Sequence, residues 1–150
     1  MRLLKGGKVK RLVEALESCG VVEFCQTPDY AMHKDEFDKI HSLWCNDIIS
    51  FWDKYGEGFE YGRAAKLVNM YLKSMIVLVN PDSNLAKNIH PPIDSVLLKA
   101  LAKQFKQGHF RDLRWTNFKE DEYFKTLGEI LALIEGQPAW KIEKFWIGYQ

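Results

Sequence analysis

The residues that could most directly do chemistry lie in the stretch KNIHPPIDSVLLKAL, residues 87–101. Proline is tolerated in the first turn of a helix, because the N–H that it lacks would be unpaired there. Asp94 then falls at the N-cap or in the first turn, where its carboxylate can accept backbone N–H bonds and face the helix dipole. The same carboxylate could stabilise a developing positive charge or position a water molecule. Asp94 is therefore either a cap alone or a catalytic residue as well. His90, in the preceding loop, is a second catalytic candidate, unless it is a solvated bystander.

A strip of basic and polar side chains is predicted along the helix that contains YGRAAKLVNMYLK. Lys66, Asn69 and Lys73 have the spacing i, i+3, i+7, so we expect them to share one face, with Arg63 one turn before Lys66. Few other positions between 61 and 79 are polar, so the strip is narrow. A narrow basic strip could clamp a phosphate or a carboxylate. The alternative is the ordinary solvent side of an amphipathic helix.

Two glycines, Gly56 and Gly58, separate the helices predicted at about 34–55 and 60–79. A G-x-G turn between helices exposes backbone N–H groups beside the positive end of the second helix, which is a suitable phosphate site. The same pattern is also typical of an ordinary glycine-rich connection between two helices.

The elements that must position these residues are helices. Apolar periodicity predicts an all-α fold, a single compact domain over residues 1–150 with five or six helices. The helix near 60–79 is apolar around most of its circumference and should be the central, most buried one. The other helices are predicted before Gly20, at about 34–55, after the prolines as far as Phe105, at about 120–135, and after Pro138. Val21–Cys25 is predicted as a short extended piece and residues 107–119 as a basic-aromatic loop.

Composition limits the class of protein. Apolar residues make up 47% of the 150 residues and aromatic residues 13%, which is enough for a packed core. The longest apolar run, Met75–Val79, is far shorter than the roughly 18 residues of a membrane span, and charges interrupt the N-terminus where a signal peptide would be apolar. We expect a cytoplasmic protein without a membrane partner. The three cysteines lack CxxC spacing and the histidines lack HxxxH spacing, so we predict reduced cysteines, no metal site and no cofactor.

Charge is distributed in blocks, although the net charge is only +1. Residues 1–20 carry +3 and residues 60–119 carry +6, whereas residues 21–59 carry −5 and residues 120–150 carry −3. If the basic blocks share a face, that face could attract an anion or nucleic acid.

Three motifs in order resemble the core of the helix-hairpin-helix base-excision DNA glycosylases: GEG (56–58), GRAAKLVN (62–69) and PPID (91–94). The resemblance covers about residues 34–106. It implies a DNA-repair N-glycosidic hydrolase, or an inactive relative that binds DNA or another polyanion. Asp94 would be the catalytic carboxylate, and the backbone would be gripped by the Gly56–Gly58 hairpin with Arg63, Lys66 and Lys73. The lysine of lyase-type members is absent, since Glu60 stands at its position.

The alternative function is a non-catalytic helical protein-interaction module. The tail PAWKIEKFWIGYQ has too many apolar residues to be exposed, so the segment 138–149 either docks on the core or forms an interface with a protein partner or a second copy. The stretch HFRDLRW, residues 109–115, also has two alternative interpretations. It either contacts nucleic acid or anchors a long loop onto the core.

Overall fold

The structure is a computed structural model that describes residues 6–145. These residues form helices joined by turns, and no β-strand occurs among them. The six α-helices are α1 (Gly6–Cys19), α2 (Val21–Cys25), α3 (Lys34–Asp53), α4 (Tyr61–Leu72), α5 (Ser95–Gln104) and α6 (Glu120–Ala132). Short 3₁₀ turns lie at Ala86–Asn88, Gly108–Asp112, Trp115–Asn117 and Ala139–Phe145. The predicted all-α class with five or six helices is confirmed.

The prediction of an extended segment at Val21–Cys25 was wrong, because this segment is α2. Gly20 has a positive φ of 96°, which ends α1 and lets the chain start a new helix at once. Val21 and Phe24 are three residues apart and both are buried, a spacing that a helix turns toward one side. Burial of these two side chains overrides the strand preference of the two adjacent valines.

Helix α4 is the central helix, as predicted. It packs against α2, α3, α6 and the turn Trp115–Asn117. Its regular part ends at Leu72, and the chain then widens into a π-turn over Lys73–Val77, in which the Leu78 N–H donates to the Lys73 carbonyl at 2.9 Å. The predicted helix at 60–79 is therefore two segments with different hydrogen bonding.

The N-terminus of α4 touches the turn Trp115–Asn117 through Gly62. The Gly62 N–H donates to the Phe118 carbonyl at 3.0 Å. A Cβ atom on Gly62 would lie 1.9 Å from the Trp115 carbonyl oxygen. Only a residue without a side chain allows this approach, which brings Trp115 beside α4.

The sequence left the placement of two stretches undecided, residues 109–115 and the C-terminal segment. Both pack at least partly on the core. In residues 109–115, Phe110 is buried while Arg111 and Arg114 are exposed, so the loop is anchored and its charges face outward. In the C-terminal segment Ala139 and Ile142 are buried, so its first part docks. The rest of the predicted interface, residues 146–149, lies outside the described residues. None of the described helices has the length and apolar character needed to cross a bilayer.

We predict that Gly62→Ala destabilises the protein by about 3 kcal/mol, because the new Cβ meets backbone that cannot move aside without shifting Trp115. Urea denaturation measures the free energy of unfolding. The matched control is Gly128→Ala in α6, where a Cβ would meet nothing within 4 Å. Since Gly128 is inside a helix, that change should stabilise by about 0.5–1 kcal/mol. Equal stability of Gly62→Ala and the wild type would show that the contact is not close in solution.

Candidate functional site

A cavity of about 270 Å³ opens between the C-terminal half of α4 and the segment that precedes α5. We call it the Lys66–Asp94 cavity. Its polar lining is Lys66, Lys73, Ser74 and Asp94, and its apolar lining is Met70, Leu78 and Pro92. The Lys66 Nζ lies 3.3 Å from the Asp94 Oδ2. Two lysines of the basic strip, Lys66 and Lys73, therefore lie in one cleft with the predicted catalytic aspartate, although Lys66 and Asp94 are 28 residues apart in the sequence.

Asp94 is the N-cap of α5, as the prolines before it predicted. Its backbone is extended and its Oδ1 accepts the Leu97 N–H at 2.9 Å. The second oxygen pairs with Lys66, and the residue is only 6% exposed. The carboxylate thus caps a helix and lines a cavity at the same time, so the two predicted roles are compatible in geometry.

Lys66 is held by two contacts. Besides the ion pair with Asp94, its ammonium lies 4.8 Å from the centre of the Trp115 ring, a cation–π contact. The Lys66 side chain is 30% exposed. Lys73 reaches the same cavity from the first residue of the π-turn.

Three other predicted binding residues lie outside the cavity. Arg63 is exposed and does not line it. Gly56 and Gly58 lie in an exposed connection between α3 and α4, where Gly56 has a φ of 68°. The twelve residues of α4 separate this connection from Lys73, a rise of about 18 Å.

Asn69 does not share the exposed face of Lys66 and Lys73, so that part of the prediction was wrong. At 100° per residue, Lys73 lies about 20° around the helix from Lys66, whereas Asn69 lies about 60° away. This 60° rotation places Asn69 on the core side of the helix, where it is fully buried. Its place on the exposed face is taken by Met70.

Asn69 instead belongs to a buried polar network that sequence reasoning missed. Its Oδ1 lies 2.9 Å from the His41 Nε2, and its Nδ2 donates to the Tyr123 hydroxyl at 3.0 Å and to the Pro91 carbonyl at 3.3 Å. The His41 Nδ1 lies 3.0 Å from the Tyr61 hydroxyl. One asparagine therefore joins α3, α4, α6 and the segment before α5. A histidine in the middle of the apolar stripe of α3 was the signal that could have indicated this network.

His90 belongs to the same network, so the interpretation of a solvated loop histidine was wrong. It is 2% exposed, with its Nδ1 2.8 Å from the Tyr123 hydroxyl and its Nε2 2.7 Å from the Asp38 Oδ1. Its burial depends on Asp38 and Tyr123, which are 52 and 33 residues away in the sequence. His90 does not line the Lys66–Asp94 cavity, so the structure separates the two catalytic candidates.

The directions of the hydrogen bonds in the network follow from one carbonyl. The Pro91 carbonyl can only accept, so the Asn69 Nδ2 faces it and the Oδ1 faces His41. His41 must then carry a proton on Nε2, which leaves Nδ1 to accept from the Tyr61 hydroxyl. By the same logic, Tyr123 accepts from Asn69 and donates to the His90 Nδ1, and the His90 Nε2–H donates to Asp38. Every donor has an acceptor with both imidazoles neutral.

Burial sets the protonation of this network. It lowers the pKa of His41 well below the ordinary value of 6.5, and the neighbouring His90 lowers it further. Burial also lowers the pKa of His90, although the hydrogen bond and charge of Asp38 act in the opposite direction. The pKa of Tyr123 is raised by burial. The folded protein therefore keeps both histidines uncharged near neutral pH.

The described residues contain no cluster of three or more His, Cys, Asp or Glu side chains that could hold a metal ion. All three cysteines are free, and Cys19 and Cys45 are buried. In comparisons with protein-family models, curated proteins and solved structures, nothing matches this chain.

We predict that the free energy of unfolding falls by about 2 kcal/mol between about pH 7 and pH 5.5. In the unfolded chain each of His41 and His90 takes up a proton near pH 6.5, whereas in the folded protein the lowered pKa of each histidine opposes this uptake. The unfolded state therefore binds more protons below pH about 6.5, and stability is lost as the pH falls. This interval lies above the ordinary pKa of Asp29, 3.8, so that carboxylate does not contribute.

Urea denaturation at the two pH values measures this loss. The control is His109→Asn, which removes an exposed histidine that bonds Glu129 and should leave most of the pH dependence in place. A stability that does not change between the two pH values would show that the two buried histidines are not kept neutral.

Proposed function

We propose that this protein binds nucleic acid or a similar polyanion through the face of α4 that carries the Lys66–Asp94 cavity. The observation that supports the proposal is that two lysines and a fixed carboxylate line one cavity together with the apolar side chains of Met70, Leu78 and Pro92. Lys66, Lys73 and the exposed Arg63 lie along the helix and would contact phosphates. Phosphate contacts of this kind give affinity without sequence specificity.

The cavity suits one unstacked base or a planar group of similar size. At about 270 Å³ it is slightly smaller than the usual small-molecule sites, which occupy roughly 300–1,000 Å³. Met70, Leu78 and Pro92 provide apolar surface for the faces of a ring, and Asp94 can accept hydrogen bonds from its edge. A base turned out of a strand would enter here while its flanking phosphates remain beside the lysines.

The catalytic form of the proposal is hydrolysis of an N-glycosidic bond. The C–N bond between sugar and base breaks, water adds to the sugar carbon, and the base leaves with a proton. Asp94 would stabilise the positive charge that develops on the sugar, or orient the water. An incoming phosphate competes for Lys66, which leaves the Asp94 carboxylate less neutralised at the moment when positive charge develops.

A second candidate function is a protein-interaction module, and a different observation favours it. Apolar side chains are unusually exposed at the end of α4 and in the π-turn that follows: Met70 is 51% exposed, Met75 45%, Leu78 68% and Val79 76%. Exposed apolar patches are typical of protein interfaces. Such an interface would show little dependence on salt, which separates the two functions experimentally.

We predict that labelled duplex or single-stranded DNA binds with micromolar affinity, and that the affinity falls steeply between about 50 and 200 mM salt. Fluorescence anisotropy measures it. Lys66→Ala/Lys73→Ala should weaken binding and make the log–log salt slope shallower by about 1 for each phosphate that the variant no longer neutralises. The control Lys8→Ala/Lys10→Ala removes the same charge from exposed positions on α1 and should retain the slope. Absence of binding at low salt, or equal effects of both double variants, would overturn the proposal.

We predict for the catalytic form that the wild type releases free base from duplexes that contain a damaged or mismatched base, and that Asp94→Asn lowers the rate by at least about 100-fold. Asparagine is also a good N-cap, so α5 and DNA binding should be preserved. Base release is measured by chromatography and binding by anisotropy on the same samples. If the wild type releases no base while it binds DNA, Asp94 is a cap in a binding protein.

A further inference from the structure

A second cavity, of about 280 Å³, lies on another part of the molecule. It is formed where the N-terminus of α3, the turn Ala86–Asn88 and the chain after α6 meet. Its polar lining is Lys34, Lys87, Asn88, His90 and Gln137, and its apolar lining includes Leu131 and Ala139. We call it the Lys34–Lys87 cavity. It shares no lining residue with the Lys66–Asp94 cavity.

Two lysines, both exposed, bring positive charge to this cavity. Neither Lys34 nor Lys87 forms an ion pair with any residue that the structure describes. Asp29 is close enough to Lys87 for the lysine to contribute to its lowered pKa. The larger causes, however, are hydrogen bonds from the Leu85 and Asn84 backbone N–H groups, which already occupy both carboxylate oxygens.

The nearest polar side chains are also occupied elsewhere. Asp38 accepts from the His90 Nε2 and does not line the cavity. The Asn88 Nδ2 donates to the Met32 carbonyl at 2.7 Å. The positive charge of Lys34 acts on His90 in the cavity wall, since it contributes to the lowered pKa of that imidazole. Two cations that line one cavity repel each other, and an anion between them offsets that repulsion.

We propose that the Lys34–Lys87 cavity binds a small organic phosphomonoester, with the phosphate between the two lysines and the organic group against Leu131 and Ala139. Two compact ammonium groups suit a dianion that can accept several hydrogen bonds at once. The apolar wall explains why the ligand carries an organic group and is not inorganic phosphate alone. The phosphomonoester is either a free small molecule or the terminal phosphate of an oligonucleotide, since both present the same chemistry.

His90 lies in the buried wall of the cavity, so its imidazole resonances can report binding at this site. His90 lies in the wall with both ring nitrogens hydrogen-bonded, so it donates nothing to the ligand. A dianion beside it would offset the positive charge of Lys34 and shift its imidazole resonances. The charged and titratable groups that face His90 are Asp38, Lys34 and His41 from α3 and Tyr123 from α6. The exposed His109 pairs with Glu129, does not line this cavity and serves as the internal reference.

The experiment is a titration of the whole protein with phenyl phosphate, followed by ¹H–¹⁵N spectra of the imidazoles and by calorimetry. We expect saturable binding that shifts His90 and not His109, with affinity for inorganic phosphate weaker by about tenfold. Lys34→Gln/Lys87→Gln should weaken phenyl phosphate binding by at least about tenfold. Lys39→Gln/Lys125→Gln, which removes the same charge from exposed positions outside the cavity, should not.

Further arms separate the outcomes. An oligonucleotide with a 5′-phosphate that binds through Lys34 and Lys87, while its 5′-hydroxyl counterpart does not, identifies a nucleic-acid end as the ligand. The phenyl phosphate titration is read at His90, which lines this cavity and not the Lys66–Asp94 cavity, so this site can succeed or fail independently of the DNA-binding proposal. No saturation at millimolar phenyl phosphate, or equal losses in the two glutamine variants, would overturn the inference. Equal affinity for inorganic phosphate would remove its organic part.

Discussion

The hydrogen bonds of one buried amide hold the core of this protein in register. The Asn69 side chain is fully buried and contacts His41 on α3, Tyr123 on α6 and the Pro91 carbonyl before α5. Without this amide the His41 Nε2–H and the Pro91 carbonyl would lose their hydrogen-bond partner, which costs roughly 1–3 kcal/mol per buried group. Apolar packing alone allows helices to slide and rotate, whereas this network has a single set of donor and acceptor directions. It therefore fixes how α3, α4 and α6 are rotated against one another.

The same amide also places both cavities. Because Asn69 holds the Pro91 carbonyl, the residues on either side of Pro91 are fixed in opposite directions. His90 turns into the network and lines the Lys34–Lys87 cavity, while Pro92 and Asp94 line the Lys66–Asp94 cavity. Gly62 acts at the N-terminal end of α4, where its missing side chain lets Trp115 approach and support Lys66. The shape of the candidate site thus depends on two residues that do not line it. Asn69 forms hydrogen bonds in the core, and Gly62 leaves space for Trp115.

The features that the sequence predicted well are those that depend on neighbours in the chain. The N-cap at Asp94 needs only the N–H of Leu97, three residues on, and the start of α3 at Lys34 follows from local periodicity. The features that were mispredicted depend on distant residues. The i, i+3, i+7 spacing spans an arc of about 60°, and the edge of the core can fall inside that arc. The position of this edge is set by α3 and α6, so Asn69 could not be assigned to a face from the spacing. Similarly, α2 is helical because a helix directs its two buried side chains, Val21 and Phe24, to the same side of the segment.

The position of the glycine connection constrains which kind of ligand could use all the predicted binding residues together. Gly56 and Gly58 precede α4, whereas Lys73 follows it, and no single small molecule reaches from one to the other. Arg63 and Lys73 are ten residues apart, about 15 Å along the helix axis. One nucleic-acid strand places a phosphate about every 3.4 Å along a duplex, so four or five nucleotides would cover that distance. If the connection, the basic strip and the Lys66–Asp94 cavity act on one ligand, that ligand must be an extended polyanion, and the cavity receives only one group of it.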